Sequence, residues 1–202
     1  LLRSWNGQME KGTAAPTIVS LAYNALRKKM VSCAAPGLGD TYEFPMGPAV
    51  VERLLRERPQ GWFADYNSML IDSLEDAIAN GEKQQGSKIS SWDYGHYNEL
   101  TIANPVVGQL PLIGKYFNIG PVPMSGSSTT IKQTTHRLGP SMRMIVDFSD
   151  LDRSLMNIMT GESGQPLSRH YDDQWSAYYG ATSFPMQFNK VDAKQILVVK
   201  PN

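Results

Sequence analysis

Sulfur, surplus charge and long apolar runs are all scarce in this polypeptide. Its one cysteine, Cys33, cannot close an internal disulfide, which excludes a bridge-stapled scaffold and leaves the compartment unread from sulfur. No apolar stretch approaches the roughly 20 residues of a membrane-spanning helix, and Leu1-Leu2-Arg3-Ser4-Trp5 has no charged-then-apolar leader. The expectation is a soluble chain with no membrane partner and no address signal. Nor is charge available for a nucleic acid: residues 1–100 carry 10 basic and 12 acidic groups, and residues 101–202 carry 9 and 7. Phosphate binding needs a local surplus of cations, and neither half has one. The tight basic cluster Arg27-Lys28-Lys29 is expected at a helix end, where cations favour the macrodipole.

What is present suits a globular body. With 202 residues and a 41% hydrophobic fraction, the chain is long enough for one large domain or two small ones. Residues 1–82 read as helical. Ile18, Leu21, Ala22, Ala25, Leu26 and Met30 recur at helical spacing, with Pro16 tolerable in the first turn and a stop before Ala34-Ala35-Pro36-Gly37. Gly47-Pro48 opens a second helix that runs toward Pro59 with Val50, Val51, Leu54 and Leu55 inward. A third is expected over 66–79, with Leu70, Leu74, Ala77 and Ile78 on one face and Asn80-Gly81 as its stop.

Residues 83–125 hold Pro105, Pro111, Pro121, Pro123 and aromatic turns, and read as an extended connection wrapped over a larger body. Residues 126–202 carry the strand signals, at 129–135, 141–148, 155–159 and 195–200, and one short helix over 169–179 capped by Ser168. In the second of these strands Met142, Met144, Val146 and Phe148 point one way and Arg143, Ile145 and Asp147 the other. The fold class is α+β, helices first and antiparallel strands late.

No catalytic set assembles from the residues alone. Gly161-Glu162-Ser163-Gly164-Gln165 misses the Gly-x-Ser-x-Gly nucleophile elbow by its last residue and reads as a turn in which Ser163 bonds local backbone. An esterase built on Ser163 is the competing expectation. His170, Asp172 and Asp173 offer metal-ligand chemistry, but His96 and His136 lie far off in sequence, so no metal is expected. Arg143 and Asp147 are about 13 Å apart along one strand face and are expected to find separate partners. Ser125-Gly126-Ser127-Ser128 lacks the lysine ending of a phosphate loop. Trp92, Tyr94, Tyr97, Tyr116 and Phe117 read as packing anchors, with a self-contained ligand-stacking module as the alternative.

Several strings in order then carry a resemblance. They are Trp92-Asp93-Tyr94-Gly95-His96; Asn104-Pro105 with Leu110-Pro111-Leu112; Phe117-Asn118-Ile119-Gly120-Pro121-Val122-Pro123; Gly139-Pro140-Ser141-Met142-Arg143-Met144-Ile145-Val146-Asp147-Phe148; and the run from Gly161 to Gln174. Together with Phe184-Pro185-Met186 and the ending Ile196 to Pro201, they resemble the C-terminal part of the larger chain in the penicillin amidase (penicillin acylase) family. The resemblance implies an N-terminal nucleophile hydrolase of four αββα layers, made from a precursor that cuts itself so that a serine begins the larger chain. That serine's own α-amino group, with an ordinary pKa near 8, would serve as the base.

Residue 1 here is Leu1, so the expectation is a C-terminal fragment, inactive alone, with no catalytic residue of its own. Its partners would be the small chain and the N-terminal part of the large chain, and the parent's substrate a small acyl amide. The resemblance implies no cofactor, no metal and a periplasmic or secreted home. It also singles out Asp147, on the strand after Gly139-Pro140-Ser141, as a carboxylate that supports the active site by orienting a donor. Two departures from the family pattern stand at Glu162, usually Gln, and Asn104, commonly His.

Overall fold

The computed structural model describes residues 1–38, 47–189, 191–193 and 197–200. It is mixed α and β, and its contacts divide it into two units: residues 1–101 with 120–136, and residues 102–119 with 137–202. Residues 83–125 are shared between the two. Among the described residues no helix is long and apolar enough to cross a membrane.

The first unit is built on helices α1 (Ala15–Ala34), α2 (Gly47–Glu57) and α3 (Tyr66–Gln85), followed by a single turn, α4 (Tyr94–Tyr97). Pro16 sits in the first turn of α1, where its missing N–H costs nothing. Asp65 caps α3, its carboxylate accepting from the backbone N–H groups of Asn67 and Ser68. Leu26, Met30, Val51, Leu54, Tyr66 and Met69 form the main apolar cluster, and Ala14, Ile18 and Trp92 a second.

Two expectations fail in α3. Its buried face is Tyr66, Met69, Ser73, Ala77 and Gly81, while Leu74 is exposed. Small residues at 73, 77 and 81 let α1 and Trp92 approach the helix closely, and Ser73 satisfies its hydroxyl on the Met69 carbonyl 2.7 Å away. The helix also runs through Asn80-Gly81 and stops at Gly86, whose φ of +83° is one that glycine adopts readily. Gly81 is needed for contact, not termination: a Cβ there would lie 2.2 Å from Cη2 of Trp92. The indole Nε1 donates to the Gly86 carbonyl at 2.7 Å, tying the helix end to the same side chain. Arg27-Lys28-Lys29 is likewise not at a terminus. It lies inside α1, and Lys29 is ion-paired with Asp76 of α3.

Strands β1 (Glu99–Ile102) and β2 (Ile119–Pro123) pair in a two-stranded sheet. Prolines 121 and 123 argued against a strand, and β2 keeps them by being at an edge. Residues 129–135 are not a strand. Thr130 turns its hydroxyl onto the Ser127 and Lys132 carbonyls, so a local turn replaces a ladder, leaving an isolated bridge from Ser127 to Gln133.

The second unit holds an antiparallel sheet in the order β3-β4-β5: Met142–Ile145, Leu155–Ile158 and Phe184–Pro185. Helix α5 covers only Trp175–Tyr179, shorter than expected, because residues 169–174 are spent on turns. Of the last expected strand, residues 195 and 196 lie outside the described residues, and 197–200 form none. Gly81→Ala gains about 1 kcal/mol of helix propensity but forces a contact that costs ~1–3 kcal/mol. Urea unfolding should show lower stability for this variant, and a net gain when Trp92→Leu is also present.

Candidate functional site

Asp147 follows β3 and anchors the turn back to β4. Its carboxylate accepts from the Ser149 hydroxyl at 2.6 Å and the Ser149 N–H at 3.0 Å, and lies 3.5 Å from the Arg153 guanidinium. Its own N–H donates to the Ser154 hydroxyl. These bonds, the Ser149 hydroxyl first, hold its pKa below the usual carboxylate value. At neutral pH Asp147 is therefore an ionised acceptor, able to orient a donor such as Arg153 and unsuited to giving a proton.

Arg143, within β3, goes elsewhere, as the spacing implied. Its guanidinium reaches the end of α5, donating to the carbonyls of Ala177, Tyr178 and Thr182, while Nε donates to Ser183 Oγ at 3.3 Å. A cation on the last carbonyls of a helix is favourable, and the fork geometry of arginine satisfies several at once. Ser183 passes the network on to Asn157 Oδ1 at 3.1 Å, a side chain 1% exposed in the centre of the sheet. The ring of Tyr178 lies under Arg143, and burial pushes its phenol up to about 12 although Arg143 works in the other direction. Gly139 makes room for that phenol: a Cβ there would be 2.2 Å from the hydroxyl.

The departures from the family pattern are accommodated. Asn104 is buried and makes three side-chain hydrogen bonds: Oδ1 accepts from the N–H groups of Val106 and Val107, and Nδ2 donates to the Tyr171 hydroxyl at 3.0 Å, which donates to the Phe117 carbonyl. It is thus the cap of a turn with Pro105 at its first position. Glu162 is exposed to solvent.

The remaining candidates resolve into local structure. Ser163 Oγ accepts from the Gln165 N–H, and its own N–H donates to the His170 carbonyl. His170 has both ring nitrogens occupied, Nδ1 by Asp173 at 2.7 Å and Nε2 by the Arg169 Nε–H at 2.9 Å, so it offers Ser163 no base. His96 and His136 each lie beside Glu99. Among the described residues no three metal-binding side chains gather. In the serine-rich turn the Gly126 N–H donates inward to the Met9 carbonyl, and its carbonyl accepts from the Tyr94 hydroxyl and from Asn98, so the loop is packed rather than open to an anion. Trp92 and Tyr94 are each 2% exposed and have no face for a ligand, whereas Tyr116 is 74% exposed. The Asn98 amide was missed by sequence reasoning; its signal was an Asn beside an aromatic, Tyr97.

Comparison with known proteins gives a consistent picture. The family described as Penicillin amidase matches residues 1–195. An acyl-homoserine lactone acylase, QuiP, of Pseudomonas syringae pv. syringae is 32% identical over 152 residues, 68% of this chain and 18% of that protein. The protein of the same name from Pseudomonas aeruginosa is 28% identical over 149 residues, 63% of this chain and 18% of the relative. Penicillin acylase 2 proenzyme of Pseudomonas sp. strain SE83 is 24% identical over 208 residues, 93% of this chain and 26% of that protein. The chain therefore spans 18% of the length of the first of these relatives.

Because Asp147 has a depressed pKa, any stability it contributes is complete above its unfolded value of about 3.9 and is lost as pH falls through the lower folded value. Ser149→Ala should raise the Asp147 midpoint toward that unfolded value, read from the side-chain carboxyl carbon in an NMR titration. An unmoved midpoint would refute the assignment of Ser149 as the main cause.

Proposed function

This chain belongs to the penicillin amidase family, and on that premise we propose that it is the C-terminal portion of an amidohydrolase that removes an acyl group from an amide. The observation that carries the proposal is the family match over residues 1–195 in a chain that spans only 18% of a relative's length.

In the parent, the hydroxyl of a serine at the start of a chain attacks the acyl carbonyl. Its own α-amine takes the hydroxyl proton and delivers it to the departing amine, leaving an acyl ester that water hydrolyses. An α-amine suits both steps because its ordinary pKa of about 8 lies near working pH. On this reading residues 1–202 leave those groups to the rest of the parent. They supply strands β3 to β5 and the helices that pack beside the site, within a four-layer αββα body completed by the rest of the precursor. A periplasmic or secreted home goes with this reading.

The relatives' names, acyl-homoserine lactone acylase and penicillin acylase, share one chemical feature, an acyl group on an amide nitrogen. That feature defines the substrate class. Asp147 acts as a positioning residue: ionised, tied to Ser149, it orients the Arg153 guanidinium from behind the reacting groups. The purified gene product should hydrolyse an N-acyl homoserine lactone or a penicillin to free acid and amine, whereas residues 1–202 alone should be inactive. In the gene product Asp147→Asn should lower kcat at least tenfold with KM and melting temperature little changed. Enzymatic turnover by residues 1–202 alone, or an unchanged kcat in the variant, would contradict these assignments in turn.

A further inference from the structure

The register of the β3-β4-β5 sheet sorts its side chains into two faces. Cross-strand partners share a face, so Met142 with Ile158, Met144 with Met156, and Met156 with Phe184 define one. Arg143 with Asn157, and Ile145 with Leu155, lie on the other. The second face is occupied where Arg143 and Asn157 bond to the end of α5 and to Ser183, while Ile145 at its end is 57% exposed. The first is apolar at all five positions and open: Met142 and Met144 are each 48% exposed and Phe184 is 44% exposed. An antiparallel sheet covered on one side ordinarily turns polar side chains to water on the other. This one does not, and unbroken apolar character on the open side marks a contact surface.

We propose that the face formed by Met142, Met144, Met156, Ile158 and Phe184 is the surface on which an apolar segment of the parent polypeptide outside residues 1–202 packs. The proposal rests on the reading of this chain as part of a longer amidohydrolase. The relative's length is the reason for this occupant: most of it has no counterpart in the chain. Charge agrees, since the face bears no ionic group that would select an acidic or basic partner. Area disfavours a second copy. Five partly exposed side chains fall far short of the roughly 1,200–2,000 Å² that a stable complex buries, whereas a covalently continuous segment docks without the translational cost of association. Three methionines suit the role, because their unbranched chains fill an irregular apolar partner.

Peroxide oxidation of the natural gene product, followed site by site by mass spectrometry, tests this. Met142 and Met144 should oxidise at least tenfold more slowly in the native protein than in urea, approaching the protection of buried Met124, and sedimentation should show that protection in the monomer. Oxidation of both at the unfolded rate overturns the proposal, as does protection found only in a dimer. A product that cleaves acyl amides yet oxidises freely here would reject this surface and leave the amidohydrolase reading intact. Protection in a monomer without acylase activity would do the reverse.

Discussion

A buried backbone amide or carbonyl without a partner costs on the order of 1–3 kcal/mol, and the strands of this chain are too short to supply partners for the segments between them. Side-chain amides and carboxylates do so instead. Asp93 accepts from Gly12 and Gly95 through one oxygen while its peptide group exchanges two bonds with the Gln85 amide, fixing the end of α3 and the approach to α1. Asn98 donates to the Met124 and Gly126 carbonyls and to Thr134, stitching residues 124–134 to the start of β1. Asn104 does the same for its own turn in the second unit. Each is buried or half-buried and each is satisfied, so these irregular stretches hold a defined course without a ladder.

The same accounting explains the sheet of the second unit. One side is held at its centre by Arg143, Asn157 and Ser183, a network that uses the last carbonyls of α5 as acceptors. Its apolar side is left to water among the described residues. Apolar burial is the main favourable term in folding, and a segment of the parent docked on Met142, Met144 and Phe184, as proposed, would add to it.

Much of this was legible in the sequence. Three helices, two of the three strands of the second sheet and the turn character of Gly161–Gln165 follow from periodicity and from Pro and Gly placement. Where reading failed, a specific competing contact decided. Gly81 reads as a stop until Trp92 is placed on it. The 129–135 run reads as a strand until Thr130 bonds its own backbone. Met142 and Met144 read correctly as one face, but alternation says which residues share a side and not whether anything covers it. Of the candidate site, Asp147 was reached by resemblance, because nothing in its spacing distinguishes it from an ordinary turn aspartate. The Ser149 contact that lowers its pKa is only two residues away and leaves no mark in the sequence pattern.

The account stands on the claim that these residues belong to a longer, processed polypeptide. Intact-mass analysis with N-terminal sequencing of the protein from its native source tests it most directly. The account predicts two chains, the larger beginning with serine and containing the sequence Leu1–Asn202 toward its end. A single natural product of 22.4 kDa would contradict it.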